Sequence, residues 1–455
     1  MTTTYKTWRF LIALLLIGVL VRALLLGGYT PATYPDSSTY IAAAHDLRSG
    51  DFNEGQGRRT PGYPLLIALV GDTPQHIVTA QMVAGLAVSV LLFLIALRMT
   101  QRPWLAFAAG LSYDLNLQQL FLEGAVVTES LTTLLLAAMV ATLLWALQRL
   151  RDGNPAATAV LSTGVLAAAA LMVRPQFIFL PLLLPLLVMY AASAPRRPTA
   201  RAWGYAAAVA LPSIIAVLGW ASVLQAKTGH FALSTQAGFG LVNHSVEFIE
   251  LAPERYAAVR DILLTHRAER IAAAGHAGNT VWYALPDIRS ATGWTLPEAS
   301  KELQRMSTQM FAEHPMQYAL SVTRPWLEFW TVPIIWEPQN LRPAWLAEPL
   351  EVVWWIEHKL LRLSNLVFVL LVVGVLLSRR VRQAVRWDIN ATAISALILA
   401  SSLLQAMADR GAGSRYAVTT QALLLLLVAV TAVRWRVGSA APATKAVDVP
   451  HGKHP

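Results

Sequence analysis

Cysteine is absent from the 455-residue chain, which excludes disulfide bonds, thiolate nucleophiles and thiolate metal sites. Charged residues are also scarce, at 14% of the chain, whereas a soluble globular domain carries about a quarter. The sequence has no Walker loop, no Gly-x-Gly-x-x-Gly fingerprint after a strand and no His-Glu-x-x-His. Their absence argues against a nucleotide site and a histidine-based metal centre.

Long apolar runs take the place of the missing charge, and hydrophobic residues make up 55% of the chain. Stretches close to the roughly 17–25 residues that cross a bilayer begin at Phe10, Ile77, Trp104, Thr128, Ala157, Gln176, Ala202, Leu363, Ile389 and Tyr416. The first stretch lacks a small-residue cleavage site and is interpreted as a retained span. We therefore predict an all-α polytopic membrane protein with about ten transmembrane helices.

The basic residues predict the orientation of these spans. The net charge is +10, and the Lys and Arg clusters fall on alternate connections: Lys6 and Arg9; Arg98 and Arg102; Arg149 and Arg151; Arg196, Arg197 and Arg201; Arg379, Arg380, Arg382 and Arg386; Arg434 and Arg436. The positive-inside rule then places both termini in the cytoplasm, with the protein in the cell (inner or plasma) membrane. Because topology explains the clusters, we expect membrane lipid and no nucleic acid as a partner.

Two connections on the predicted outer side are long. A structureless loop as long as the second is uncommon, and Pro253-Glu254 and Pro297-Glu298 within it are typical of helix starts. The predicted organisation is an N-terminal membrane module 1–224 with an external loop 28–76, an external helical domain 225–362, a second membrane module 363–437 and a disordered cytoplasmic tail 438–455.

The external loop 28–76 carries the most informative motifs. Asp36 stands in a Pro-Asp-Ser segment, and Arg58 and Arg59 precede Thr-Pro-Gly-Tyr-Pro. Asp36 fits the N-cap of a helix that begins at Ser37, and the two arginines fit contacts with anionic headgroups. Their presence together at the outer edge of the membrane instead favours an active site with an acid and fixed positive charge.

These motifs resemble those of the multi-span GT-C glycosyltransferases, which include protein O-mannosyltransferases and lipid A aminoarabinose transferases. The resemblance rests on an Asp near the end of the first span and an Arg-x-Pro-Gly-Tyr-Pro turn, at residues 35–37 and 59–64. Weaker matches extend along most of the chain: Thr128-Glu129-Ser130-Leu131, Arg174-Pro175, His314-Pro315 with Tyr318 and Trp330, and Arg415-Tyr416. The resemblance implies a GT-C-like fold and transfer of a hexose or pentose from a polyprenyl-phosphate donor to a glycan, glycolipid or protein acceptor at the outer face.

The resemblance also implies roles for individual residues. Asp36 matches the general base of an inverting transfer, and Glu129 matches a second acid of the site. The arginines implied for the donor phosphate are Arg58, Arg59, Arg174 and Arg415, with Arg22 as a further candidate. Candidates for substrate binding are Tyr40, Tyr63, Glu123, His244 and Arg324. No cofactor or metal is assigned; a divalent cation, if one is used, would bind mainly to the carboxylates of Asp36 and Glu129.

Several candidates have a purely structural alternative. Arg22 is placed to snorkel to the interface, and Arg415 is placed to join a local ion pair with neighbouring Asp409 and Arg410. Glu129 fits a favourable position on a helix dipole, and His244 fits an ordinary surface residue.

Two other functions are compatible with an outward-facing membrane protein. A transporter or flippase predicts ionisable residues at mid-depth and symmetric halves. A lipid-linked glycan polymerase or ligase also uses external arginines, but it needs two lipid-linked or polymeric substrates and does not rely on Asp36.

Overall fold

The computed structural model describes residues 2–53, 55–193, 199–331, 335–410 and 413–439. The first ten helices are α1 (Thr2–Gly28), α2 (Pro35–Ser49), α3 (Gly62–Val70), α4 (Pro74–Thr100), α5 (Pro103–Asp114), α6 (Leu117–Glu123), α7 (Glu129–Arg151), α8 (Ala157–Val173), α9 (Leu180–Ser193) and α10 (Ala200–Thr228). The helices that follow are α11 (Ala237–Ser245), α12 (Ala257–Ala274), α13 (Thr280–Thr292), α14 (Leu296–Glu313), α15 (Pro315–Phe329), α16 (Ala347–Leu377), α17 (Arg379–Ala384), α18 (Ile389–Ala408) and α19 (Gly413–Ser439). Beyond helices, these ranges contain two isolated β-bridges and no strand, so the all-α prediction is confirmed.

Eight of the helices are long and apolar enough to cross a membrane. They are α1, α4, α7, α10, α16, α18, α19, and α9 together with the short turn Pro175–Phe177 before it. Large apolar side chains on their outer surfaces, such as Leu16, Leu182 and Leu370, are exposed. Because such surfaces are stable only in hydrocarbon, the chain is a multi-pass membrane protein.

Two of the ten predicted spans are shorter than the others. The fifth is α8, whose 17 residues extend about 26 Å. The third is divided into the 12-residue α5 and the seven-residue α6. The division occurs at Asn116, whose side chain accepts a hydrogen bond from the Gln119 amide at 2.8 Å and so caps a new helix.

The span predicted to begin at Leu363 starts earlier, because α16 begins at Ala347. Acidic residues at 348, 351 and 357 lower the hydropathy of this segment without interrupting the helix. One of them, Glu357, accepts a hydrogen bond from the Leu117 amide at 2.9 Å. The N-terminal turns of α16 therefore also stabilise the first turn of α6.

The basic connections meet at one end of the helix bundle. Arg98 donates to Gln148 at 2.6 Å, and Arg434 donates to Asp388 at 3.0 Å and to the Arg386 carbonyl at 3.2 Å. We call this the basic end, and the opposite end the site end. Arg196 and Arg197 lie outside the described residues, as does the predicted tail from residue 440 onward.

Helices α11–α14 form a helical domain with its own apolar core at the site end. Phe239, Leu263, Ile288 and Leu303 meet in this core, and all four are fully buried. Helix α15 leads from the domain back to the bundle, where the Tyr318 hydroxyl donates to the Met407 carbonyl at 2.9 Å. The boundaries 225 and 362 stay predictions.

Candidate active site

A set of alternating charges lies at the site end. Asp36, in the first turn of α2, accepts from Arg59 Nη2 through Oδ1 at 2.6 Å and from Arg415 Nη1 through Oδ2 at 3.1 Å. Arg59 belongs to the loop before α3, whereas Arg415 lies in the first turn of α19. One carboxylate therefore joins arginines from opposite ends of the chain.

Glu129, the first residue of α7, continues these contacts into the bundle. Its Oε1 accepts from Arg174 Nη2 at 2.7 Å and from Arg415 Nε, and its Oε2 accepts from Arg415 Nη2 at 3.3 Å. Arg174, which follows α8, also donates from Nε to Thr128 Oγ1 at 2.6 Å. We call this chain of contacts the charge network: Arg59, Asp36, Arg415, Glu129, Arg174. Its formal net charge is +1.

Aromatic rings pack against the two terminal arginines of the charge network. The Arg59 Cζ atom lies 4.5 Å from the centroid of the Tyr40 ring, and the Arg174 Cζ atom lies 4.7 Å from that of Tyr416. Both distances are within the range of a cation–π attraction. Arg59 Nε also donates to Thr39 Oγ1 at 2.8 Å. These contacts restrict the rotamers of both guanidinium groups.

Tyr63 packs against the ring of Tyr40. The two rings meet edge to face with centroids 5.0 Å apart, and Tyr63 is fully buried. The Tyr63 hydroxyl donates to Gln81 Oε1 at 2.6 Å, and Gln81 Nε2 donates to the carbonyls of Glu123 at 2.9 Å and Ala125 at 2.7 Å. Gln81 thereby connects Tyr63, which packs on Tyr40, to the segment that leads into Glu129.

Asp36 is not an N-cap, which corrects one sequence interpretation. Helix α2 begins at Pro35, two residues before the predicted start. Ser37 Oγ accepts from the Tyr34 amide at 2.9 Å and donates to the Val126 carbonyl at 2.8 Å. Because Ser37 bonds the backbone at the start of the helix, the Asp36 carboxylate is available to bind the arginines.

The side chains of the charge network differ in exposure, with Asp36 the most exposed and Glu129 fully buried. The exposed fractions of the side chains are 39% for Asp36, 23% for Arg59, 19% for Arg415, 7% for Arg174 and 0% for Glu129. Partial burial by itself raises the pKa of Asp36, but the charges of Arg59 and Arg415 outweigh burial and lower this pKa below its ordinary value. Asp36 is thus an accessible carboxylate that is ionised at neutral pH.

One donor in the charge network has no hydrogen-bond partner. Arg174 Nη1 is buried, and no acceptor lies within reach among the described residues. A buried, unpaired guanidinium N–H is costly, because it loses water without gaining a protein acceptor. This atom is therefore a place where an anionic ligand would bind favourably.

Arg22, Asp114 and Glu123 form a second, fully buried cluster. Arg22 Nη1 donates to Asp114 at 2.6 Å, while its Nε and Nη2 donate to the two oxygens of Glu123 at 2.8 and 2.9 Å. Gly85 makes room for Glu123, because a Cβ there would lie 1.9 Å from Oε1. Arg22 is only 4% exposed, so the snorkelling interpretation is wrong. Glu123 contacts Arg22 and not the charge network.

Three other predicted site residues also lie outside the charge network. Arg58 Nη2 donates to Gln56 at 3.2 Å, and Arg324 pairs with Glu328 along the exposed surface of α15 at 2.8 Å. His244 is 0% exposed and its Nδ1 lies 3.0 Å from Ser321 Oγ, so the surface interpretation is wrong. Burial, with a contribution from the charge of Arg410, lowers the pKa of His244 to about 4.

The ion pairs that the structure describes for Arg415 are with Asp36 and Glu129. Arg410 pairs with Glu247, and Asp409 accepts from Asn243 Nδ2 at 3.1 Å. Arg415 is consequently available to bridge Asp36 and Glu129 across the bundle.

The sequence analysis assigned no site role to Thr39, Gln81, Thr128 or Tyr416, although Thr128 and Tyr416 stand in two of the quoted motifs. Gln81 gave a usable signal, because an amide within an apolar span is costly unless it is bonded. Thr39, Thr128 and Tyr416 adjoin residues already singled out, but their contacts depend on the packing of α2, α7 and α19.

A divalent cation does not fit between the two acids of the charge network, because the Arg415 guanidinium already lies between their carboxylates. No group of three or more His, Asp or Glu side chains is placed to hold a metal ion in the part of the chain that the structure describes.

Comparisons with known proteins give one structural likeness. No protein-family model matches the chain, and no curated protein matches it. The chain is similar to the crystal structure of ArnT from Cupriavidus metallidurans bound to undecaprenyl phosphate, at 12% identity and a TM-score of 0.39, over 92% of this chain and 77% of that one. A TM-score this low does not establish a shared family, so GT-C membership stays a prediction.

Proposed function

We propose that the protein is a membrane glycosyltransferase that moves a sugar from a polyprenyl-phosphate donor to an acceptor hydroxyl at the predicted outer face. The observation that carries this proposal is the charge network: three arginines surround two carboxylates, with one carboxylate accessible and one guanidinium N–H unpaired. Such an arrangement suits a reaction that needs both a base and an anion site.

The arginines would stabilise the leaving group. As the bond between the anomeric carbon and the phosphate oxygen breaks, its electron pair goes to the oxygen, and a phosphodiester with one negative charge becomes a phosphate monoester with two. The surplus positive charge of the charge network is placed to stabilise this increase. Arg174 Nη1 supplies an unused donor, and arginine keeps its proton throughout.

Asp36 would act as the general base of an inverting transfer. The acceptor oxygen attacks the anomeric carbon while its proton passes to the Asp36 carboxylate. With both carboxylate oxygens bonded to arginines, Asp36 is a weak base before the donor binds. A donor phosphate competes for Arg59 and Arg415, which leaves Asp36 more basic when the donor is bound.

Glu129 would position Arg415 and Arg174 rather than contact the acceptor. Its side chain has no exposed surface, and its two oxygens accept hydrogen bonds from those arginines. We therefore assign it a positioning role in place of the direct contact with acceptor or metal suggested by the family resemblance.

A transporter or flippase is the second candidate, and the Arg22 cluster is the observation that favours it. Ionisable residues inside a helix bundle often mark an ion or substrate path. However, the three side chains are paired with one another and closed to solvent. This closed arrangement is what a structural ion cluster requires.

The test uses purified protein in lipid nanodiscs. We expect undecaprenyl phosphate and lipid-linked sugars to raise the melting temperature, and one such sugar to be turned over by the wild type and not by Asp36→Asn. Stabilisation by a soluble solute, with no response to any polyprenyl phosphate, would support the transporter and refute the proposal.

A further inference from the structure

A cavity of about 450 Å³ lies between the C-terminal end of α10 and the first turns of α14. Its wall includes Gln225, His230, Thr235, Lys301, Gln304 and Arg305. A volume of this size falls within the roughly 300–1,000 Å³ of small-molecule sites. It is outside the charge network and has no role in the steps described above.

The lining favours a hydroxylated anion. The side-chain amides of Gln225 and Gln304 supply donors and acceptors that match sugar hydroxyl groups. The described wall contains no carboxylate. Arg305 is paired with Glu302, but Lys301 has no hydrogen bond or ion pair within the described ranges. Lys301 is therefore an exposed cation that is available to a ligand.

The cavity is linked to Asp36 through a single loop. Thr235 lines the cavity, and its amide donates to the Gly57 carbonyl at 2.9 Å. Ser234, also in the wall, donates to the Arg58 carbonyl at 2.6 Å. The next residue, Arg59, binds Asp36. Residues of the cavity wall therefore bond the backbone of the loop 55–59, and Arg59 at the end of this loop binds the predicted base Asp36.

Helix α14, which lines one side of the cavity, packs closely against α11. Gly238 packs so closely on α14 that a Cβ there would lie 2.0 Å from the Ser300 carbonyl oxygen. The Gly238 amide also donates to Ser300 Oγ at 3.0 Å. Because α11 packs closely on α14, the turns of α14 that carry Lys301 and Gln304 are held beside the cavity.

We infer that this cavity is a subsite for an anionic, polyhydroxylated acceptor, in which Lys301 binds a phosphate or carboxylate and the amides bind sugar hydroxyls. As an acceptor subsite it rests on the proposed glycosyl transfer. Its position beside the loop 55–59 would direct the remainder of the acceptor towards Asp36.

The experiment measures binding of glucose 6-phosphate and glucose to nanodisc-embedded protein by saturation-transfer NMR. We expect glucose 6-phosphate to bind more tightly than glucose, and Lys301→Glu to weaken its binding about tenfold, as loss of a charge-assisted contact predicts. Lys301→Gln should give an intermediate loss. Lys359→Glu, a reversal on α16 outside the cavity wall, is the matched control and should leave binding unchanged.

A lipid headgroup offers the same chemistry, so nanodiscs with phosphatidylinositol form a second arm. Weaker binding of phosphatidylinositol to Lys301→Glu than to the wild type supports a glycolipid acceptor. Weaker binding of glucose 6-phosphate alone supports a soluble or polymeric acceptor. Equal binding by wild type and Lys301→Glu in both arms overturns the inference. The response to undecaprenyl phosphate is measured in the same samples: its absence, with the Lys301 effect intact, would refute the proposed donor and retain the cavity as an anion site.

Discussion

We expect replacement of Asp36 by asparagine to lower the rate of the proposed sugar transfer strongly while changing the free energy of unfolding little. The substitution keeps the size of the side chain but removes the charge that Arg59 and Arg415 share. Because the Asp36 side chain is 39% exposed, solvent screens both ion pairs, and we expect a loss of about 1 kcal/mol or less in the free energy of unfolding. The fold and the donor site should survive.

The expected effect on turnover is much larger. Loss of a positioned general base lowers rates by about 10²–10⁴-fold, which is roughly 3–5 kcal/mol in activation free energy. Removal of one negative charge also raises the net charge of the charge network from +1 to +2. Undecaprenyl phosphate should therefore bind to Asp36→Asn at least as tightly as to the wild type.

Glu129→Gln is the contrasting variant. Glu129 is 0% exposed and binds both Arg415 and Arg174, and removal of one partner from a buried ion pair costs about 3–5 kcal/mol. This variant should melt at a clearly lower temperature than Asp36→Asn. The assay combines melting curves, the shift with undecaprenyl phosphate, and turnover of a lipid-linked sugar, all in nanodiscs. Turnover by Asp36→Asn close to that of the wild type would refute the role of Asp36, and equal destabilisation of both variants would refute the exposure argument.

Three further variants test separate parts of the structure. Arg59→Ala should weaken undecaprenyl phosphate binding about tenfold, because it removes a charge-assisted contact, and an unchanged melting shift with that lipid would contradict this. Arg22→Met leaves two buried carboxylates without a cation and should cost about 3–5 kcal/mol, which melting in detergent would detect; a wild-type melting temperature would contradict the cluster. The pKa of about 4 for His244 lies below the ordinary 6.5, so the unfolded chain binds a proton there between these pH values and the folded chain does not. Stability should fall by up to roughly 3 kcal/mol as pH drops from 6.5 to 4, and His244→Gln should flatten this dependence; an equal slope in both proteins would refute it.

The long apolar helices could be predicted because hydrocarbon imposes a minimum length on a continuous apolar run. The same criterion fails for α5 and α6, since Asn116 both interrupts the run and caps a new helix. It also fails for the start of α16, because a helix continues through charged residues when its length extends beyond the apolar segment. Periodicity and the length of an apolar run predict which segments form helices that are stable in lipid. They do not predict the residues at which those helices begin and end.

The residues of the candidate site could be predicted from the sequence, but the contacts between them could not. Asp36, Arg59 and Glu129 follow or begin apolar runs, so their position at one end of the bundle follows from topology. Their connection through Arg415 does not, because it depends on how α19 packs on α7 and brings Arg415 within reach of Asp36. Glu123 illustrates the limit: its partner Arg22 is separated from it by 101 residues, and no local sequence pattern points to that contact.

The two ion clusters of the bundle differ in charge balance as well as in exposure. In the Arg22 cluster one guanidinium binds two carboxylates, and all three side chains are closed to solvent, so an added anion would meet uncompensated negative charge. In the charge network three guanidinium groups bind two carboxylates, one donor N–H is unpaired, and Asp36 is open at one end. An anion there gains an unpaired donor that has already lost its water, together with a surplus positive charge. Exposure and charge balance together therefore favour the charge network as the phosphate site and leave the Arg22 cluster a structural role.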